Sequence, residues 1–343
     1  MSYQEYLAAR DVMSTLGQPV ITAIFIISLT LGIISIYHIL SGDKRAYRLA
    51  ARLRKADTVL LIIGFLIITW FHLRIYQTIE VVYPPELSDH MQKNLGEHIT
   101  SLKFAVPMWI EAEKLYFWTL CISIFLIISE PGYNDLKSGI ITVFSSSLNI
   151  IFAVFAVFTY LLSNPFVEPL SGLHTEITQW YQLNVISDPN VIYQTLYQLY
   201  FRITYFYNSE YMWIHPPMLF IAYASLVVTF VGCVFMLLRT EVFFDKVSYN
   251  HAKVGYLLLT VGMLLGYPWA VAAWGESSWW WDPKVSGSIM MWVLYSAYLH
   301  LRIYSKYDSM RKATAILGIL CFLSLVLTYL LTYIAPGIHA VSQ

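Results

Sequence analysis

Residues 19–40, PVITAIFIISLTLGIISIYHIL, contain no Asp, Glu, Lys or Arg, while residues 41–57, SGDKRAYRLAARLRKAD, hold six of the chain's 21 Lys and Arg. A helix of roughly 20 apolar residues crosses the hydrocarbon of a bilayer. A helix also pairs its own backbone polar groups, as any segment inside lipid must. The same reading places further spans at 58–76, 108–129, 139–162, 216–238, 253–273, 286–304 and 313–334. The predicted fold class is therefore all-α: a polytopic transmembrane helix bundle of about eight spans, with residues 1–343 forming a single integral membrane domain. The third span carries Glu111, Glu113 and Lys114 in its first turns, charges that suit an interfacial helix start better than a lipid-facing midplane.

Composition points the same way. Hydrophobic residues make up 58% of the chain and charged residues 12%, with a mean hydropathy of +0.59. Soluble domains carry about twice that charge, and so little charge cannot cover a water-facing surface. Membrane lipid is the surrounding partner. Acidic and basic residues balance at 21 each, which excludes nucleic acid as a partner, since phosphate binding needs a basic surplus. Cys121, Cys233 and Cys321 all lie in apolar runs and read as small packing residues, with neither metal spacing nor a paired framework. Residues 1–17 lack the pattern of a removable signal peptide, so none is expected.

Lys and Arg set the expected orientation. With the 41–57 loop inside, fourteen basic residues fall inside and six outside, and both termini face outward. The long segments 77–107 and 163–214 then become external loops. Within the second, Ile192, Leu196, Leu199, Ile203 and Phe206 share one helical face, the pattern of a helix lying in the interface or of a cap packed over the bundle.

The chemistry-bearing stretch is Ala273–Lys284, AWGESSWWWDPK, part of an external segment 274–286. Trp274, Trp279, Trp280 and Trp281 fall within eight residues, far denser than the one or two rings per helix end of a membrane-interface belt. Their flat π surfaces suit a planar hydrophobic ligand. Asp282 followed by Pro283 reads as a helix N-cap with proline at the first helical position. In Trp213–Phe220, WIHPPMLF, the prolines are expected in the first turn of the fifth span, so that His215 projects from its external end. In the tail, YIAPGIHAVSQ, Pro336 and Gly337 end the last span and His339 follows. One interfacial histidine is most simply a solvated residue. Two histidines flanking a tryptophan platform favour axial ligation of haem iron.

WGxxxWWWDPK, from Trp274 to Lys284, resembles the tryptophan-rich WWD signature of the cytochrome c assembly family, haem-handling proteins of the CcmF and CcsA type. HPPMLF (215–220), Ser163-Asn164-Pro165-Phe166 and KFAVPMWIEAEKLYFW (103–118) are similar to stretches of the CcmF branch, so the resemblance is closest to its N-terminal part and covers about 100–343. Residues 1–100 match only as two hydrophobic helices. The segment departs from the pattern in having Gly275-Glu276-Ser277-Ser278 where a glycine doublet is usual, and KVSGS after Pro283.

The resemblance implies a role in cytochrome c biogenesis. It implies that His215 and His339 bind haem b (iron protoporphyrin IX) externally, that His300 is an intramembrane ligand, and that the chain is a component of a haem lyase joining haem vinyl groups to the CxxCH thiols of apocytochrome c. His300 needs a second ligand; His38 lies at matching depth near the inner end of the first span, and a histidine of a partner subunit is equally open. His90, His98, His174 and His251 are expected in loops, solvated. The implied partners are apocytochrome c and other cytochrome c maturation subunits, including a haem-delivery protein and a second CcmF-like chain if the protein is split; a compact CcsA-like protein is the other expectation. The expected location is a bacterial or archaeal plasma membrane or an organellar inner membrane. A haem transporter, or a haem-free structural subunit of a membrane complex, are the competing functional classes.

Overall fold

The computed structural model describes residues 3–96, 98–132, 138–183, 188–275, 279–304 and 308–334. Among them are the helices α1 (Tyr3–Ser41), α2 (Lys44–Thr78), α3 (Pro85–Leu95), α4 (Glu113–Ile128), α5 (Gly139–Leu162), α6 (Ser171–Gln182), α7 (Pro189–Arg202), α8 (Glu210–Leu238), α9 (Val242–Trp274), α10 (Pro283–Arg302) and α11 (Asp308–Ile334). Two short strands, β1 (Glu80–Val82) and β2 (Ser101–Lys103), pair antiparallel with Val81 opposite Leu102. The fold is helical, and each expected span falls on a helix. Among the described residues, six helices are long and apolar enough to cross a membrane: α1, α2, α5, α8, α9 and the 310–331 part of α11. The other two expected spans are α4, only 16 residues long, and α10, which carries Lys284 and Arg302 at its two ends.

The chain divides into two compact units. The first comprises 1–24, 60–117 and 158–213; the second comprises 25–59, 118–157 and 214–343. In the first unit, the Ser163–Phe166 stretch is a structural pin. Asn164 Oδ1 accepts the Phe166 backbone N–H at 3.0 Å, turning the fully buried Phe166 ring onto Gly17 of α1 and Gly64 of α2. Tyr116 of α4 meets Phe166 edge-on at 5.8 Å and donates its hydroxyl to the Leu61 carbonyl at 3.0 Å. A Cβ on Gly64 would collide with that hydroxyl. Gly64→Ala is therefore expected to destabilise the protein by about 1–3 kcal/mol, read as a lower midpoint of thermal unfolding in detergent.

The two segments expected as external loops are folded. Glu111 accepts the backbone N–H groups of Gly172 and Leu173 at 3.1 and 2.9 Å, satisfying orphan donors at the start of α6, whose N-cap Leu170 has no side chain to do so. Glu113, expected at a helix start, is the first residue of α4 and is fully buried. Along 189–207 the expected apolar face holds at Leu196, Leu199 and Ile203, all buried. A π-helical turn, Ile203–Tyr207, then replaces Phe206 with Tyr207 as the buried residue. The extra residue in that turn advances the face by one position. Tyr207 donates its hydroxyl to Glu176, which also pairs with Arg202 at 2.9 Å, and burial pushes the Tyr207 pKa up.

Three helix boundaries correct the sequence reading. The stretch 41–57, expected as a loop, is helical from Lys44 onward, so α2 runs 35 residues, about 52 Å at 1.5 Å per residue. Its cationic start keeps apolar Ala46 and Ala50 buried, which packs the helix beyond the bilayer-length stretch. Pro216 and Pro217 lie inside α8 rather than in its first turn. Pro216 has no N–H for the Met212 carbonyl one turn back, and Trp109 Nε1 donates to that oxygen instead at 2.8 Å. Helix α9 begins at Val242 rather than near 253, which places His251 within it, 8% exposed, its Nε2 2.9 Å from Ser129 Oγ.

In the second unit α8 and α9 approach closely through small residues. A Cβ on Gly232 would lie 2.8 Å from Ser248, one on Gly255 2.6 Å from Leu226, and one on Gly262 2.8 Å from Leu219. Such seams let helices associate in lipid, where apolar burial gives no net drive. Helix α10 joins the pair through the Trp292 Nε1 donation to Thr260 Oγ1 at 2.8 Å and an Arg302–Asp245 ion pair.

Candidate functional site

The α8–α9 seam places His215. Its ring lies against the C-terminal third of α9, where Gly266 leaves room: a Cβ there would fall 2.7 Å from His215 Cε1. The Nδ1 atom is 2.5 Å from the Gly262 carbonyl. Only an N–H can bond a carbonyl, so Nδ1 carries the proton and Nε2 carries the ring's lone pair. The His215 ring lies 20° from parallel to Trp269 at 6.4 Å, and Trp269 meets Trp274, the last residue of α9, at 4.7 Å. His215 and the beginning of the tryptophan segment thus share the C-terminal end of α9.

Trp279–Trp281 form a single 3-10 turn before α10. Trp279 is buried, stacks on Trp280 at 4.2 Å with a 22° interplanar angle, and meets Tyr267 edge-on at 5.7 Å. Tyr267 also touches Trp280, at 5.5 Å. Trp280 is 49% exposed and Trp281 83%, so an anchored ring carries two presented ones. Asp282 caps α10 as expected, its Oδ1 accepting the N–H groups of Lys284 and Val285 at 3.0 and 3.4 Å. The cap and Pro283 at the first helical position fix the chain direction immediately after the rings. What this end of the unit offers chemically is a wide π surface beside one imidazole of fixed tautomer.

These observations carry their weight together with sequence likeness. Residues 108–339, more than half of the chain, match the family described as cytochrome C assembly protein. The chain belongs to that family. It is an integral membrane protein of the cytochrome c biogenesis class. It is similar to the cytochrome c biogenesis protein CcsA of Prochlorococcus marinus, 41% identical over 98 residues, 28% of this chain and 30% of the relative. CcsA of Gloeobacter violaceus is 41% identical over 97 residues, 28% of each chain, and CcsA of Pyropia yezoensis 39% over 97 residues, 28% of this chain and 30% of that one. The stretch matched thus spans under a third of these relatives. The fold resembles the solved structure of cytochrome c haem lyase CcmF, with a TM-score of 0.59 and 17% identity, over 93% of this chain and 47% of that one.

Within the cytochrome c assembly fold the remaining expected ligands scatter. His339 lies outside the described residues. His300 is exposed in the last turn of α10, its Nδ1 2.8 Å from the Ser296 carbonyl of its own helix. His38 is 2% exposed, with Nδ1 2.8 Å from Ser146 Oγ of α5 and its ring 5.4 Å from Tyr47. The contacts given for His38 are with α2 and α5, while α10 packs on α9, α11 and the Trp279–Trp281 turn, and no described contact joins the two histidines.

Three of the four histidines expected in solvated loops lie on helices: His90 on α3, His174 on α6 and His251 on α9. His251 is buried, its second nitrogen 3.3 Å from Ser225 Oγ. His174 lies half-buried in α6, its Nδ1 3.1 Å from the Tyr6 hydroxyl; burial and then Arg10 lower its pKa. Trp269 and Tyr267, absent from the expected site residues, join His215 and the tryptophan segment to α9. The signal was present: Trp269 and Trp274 sit five residues apart at the end of one span. The helical course of 44–57 also assembles a second polar cluster. Arg54, 2% exposed, contacts Glu130 at 3.4 Å and Asn149 Oδ1 at 3.1 Å, and Asp57 accepts from Ser28 at 2.8 Å.

Proposed function

We propose that this protein handles haem in cytochrome c biogenesis: it holds haem at its external face and presents it for thioether attachment to the CxxCH of an apocytochrome c. The observation that carries the reading is the presented Trp280–Trp281 pair, held on the buried Trp279 and the Asp282 cap, on the same helix end as His215. Membership of the cytochrome C assembly family over 108–339 supports it. The topology that goes with it puts the loop between α1 and α2 inside and both termini outside.

The residues present fit such a substrate. A histidine whose Nδ1–H is committed to a carbonyl offers Nε2 to iron with fixed ring orientation, as metal-binding histidines commonly do. His215, and His339 from the tail, are the proposed axial ligands, with Trp274, Trp279, Trp280 and Trp281 as the covering surface. When bound, the porphyrin supplies two vinyl groups; each thiol of CxxCH adds its S–H across one of them, forming a C–S bond with no net electron change. The protein supplies no nucleophile. It supplies position, which turns a bimolecular encounter into an oriented one, and a dry aromatic face that keeps the vinyl edges from water. The apocytochrome's own histidine replaces one protein ligand, which releases the product. His300 and His38 are proposed as ligands of separate or shared intramembrane haem, with Ser146 orienting His38. Apocytochrome c, a haem-delivery protein and a second CcmF-like chain are the proposed partners.

The test is deletion and complementation in the source organism. Loss of the gene is expected to abolish covalently haem-stained c-type cytochromes, and the full-length chain to restore them; normal staining in the deletion strain would refute the assignment. Gly266→Val probes the geometry without touching a ligand. The added methyls would occupy the space of the His215 ring, and we expect haem retention at this site to fall about 10–100-fold, measured by haem-to-protein ratio after purification.

A further inference from the structure

Between the C-terminal end of α4 and the N-terminal end of α9 lies a cavity of about 840 Å³, within the roughly 300–1,000 Å³ range of small-molecule sites. Helix α9 lines it with Val242, Lys246, Asn250 and Val254, spaced four residues or about 6 Å apart along the helix, and with Phe243, Val247 and His251 beside them. The facing wall is built by Phe125 and Ile128 of α4. Three of the rim residues are apolar and exposed: Ile128 at 65%, Val242 at 77% and Val254 at 43%. Apolar side chains exposed on a helix able to cross a bilayer, as α9 is, face lipid, so on the α9 side the cavity opens sideways into the membrane rather than only to water.

The charges around the cavity leave a positive surplus. Glu130 on the wall is neutralised by Lys55 at 3.2 Å and Arg54 at 3.4 Å. Among the described residues Lys246 makes no salt bridge. The deep wall makes no demand of its own, since both ring nitrogens of His251 are hydrogen-bonded, to Ser129 and Ser225. Reading along α9 from Lys246 onward, past the apolar Val242 at the helix start, the cavity presents a cation, then an amide, then the apolar Val254 and Phe125.

We propose that this cavity is a binding site for an anionic phospholipid. Its phosphate pairs with Lys246, an ester carbonyl takes a hydrogen bond from the Asn250 amide one turn further on, and an acyl chain fills the space between Val254 and Phe125. The order cation, amide, hydrocarbon matches the order phosphate, ester, chain in such a lipid, at one helical turn per step. Basic pockets between membrane helices on the inner side commonly select anionic headgroups. A bound lipid bridges α4 to α9, the helix whose far end carries Trp269 and Trp274. The site rests on the inside placement of these helix ends and not on the haem reading.

The experiment uses the purified full chain in nanodiscs of phosphatidylcholine, with and without phosphatidylglycerol. Phosphatidylglycerol is expected to raise the Tm by about 3–5 °C, the shift that ligand binding to the folded state produces in a protein of this size. K246Q should lose most of that shift, and V254W, which fills the channel, should lose it too. Both are expected to keep the wild-type Tm in phosphatidylcholine alone. A shift that survives K246Q overturns the proposal, as does an absent wild-type shift, or one reproduced by adding inorganic phosphate to phosphatidylcholine discs. Haem content is read on the same samples: a lipid shift without haem refutes the haem reading alone, and haem without a lipid shift refutes the lipid site alone.

Discussion

His215→Ala is expected to reduce haem retained at the external site by about 100-fold or more, the upper end of what loss of even a ligand's supporting contact costs a metal site, and to abolish cytochrome c maturation in complementation. The side chain is only partly buried and its hydrogen bond is to a helix carbonyl of Gly262. Its removal therefore leaves no unpaired buried charge, and α8 and α9 keep the Gly255 and Gly262 contacts that hold them together. Thermal stability is thus expected to change little while haem content collapses. Added imidazole distinguishes a ligand from a packing residue: it should restore part of the haem absorption to the alanine variant, because the Gly266 recess can hold the free ring. A variant with its full haem complement and normal maturation would sink the role of His215.

Trp280→Ala with Trp281→Ala is the second large effect. Both rings are well exposed, 49% and 83%, so they contribute little to folding, and removing them should leave Tm nearly unchanged. Their value lies in what they cover. Losing the burial of two partly exposed indoles against a flat ligand costs about 2–3 kcal/mol, roughly 100-fold in affinity. Trp279→Ala should behave in the opposite manner. Trp279 is 4% exposed, stacked on Trp280 and braced by Tyr267, so its truncation is expected to lower stability by about 3–5 kcal/mol. The two variants, compared by thermal unfolding and haem-to-protein ratio, separate the presented rings from their support. Equal losses of stability in both would refute the division.

Local signals were legible where they depend on near neighbours. Asp282 and Pro283 announced the start of α10, because an N-cap and a proline at the first helical position act within three residues. The periodic face of α7 was visible at Leu196, Leu199 and Ile203 for the same reason, and failed at Phe206 where a π-helical turn changed the period. The boundaries that went wrong have a common cause. Pro216 reads as a helix start because it lacks an N–H, but Trp109, more than a hundred residues earlier, satisfies the carbonyl that Pro216 leaves open. The 44–57 stretch reads as a cationic loop, yet Arg54 is buried against Glu130 and Asn149. His251 reads as a loop histidine until α9 is seen to begin nine residues before it.

The sequence by itself determined that the chain lives in lipid, roughly where it crosses, and that its tryptophans gather ahead of one capped helix. Those properties follow from apolar run length, from the scarcity of charge and from capping chemistry, all local or additive. Only the tertiary structure decided that His215 sits on Gly266 with its Nδ1 proton committed to Gly262, and that Trp269 connects it to Trp274. It also decided that Trp279 supports while Trp280 and Trp281 present. These depend on which small residues of two helices meet across a seam, and on which carbonyls distant side chains reach. Side-chain contacts between segments far apart in the chain are set by packing in three dimensions, which the order of residues along one span does not encode.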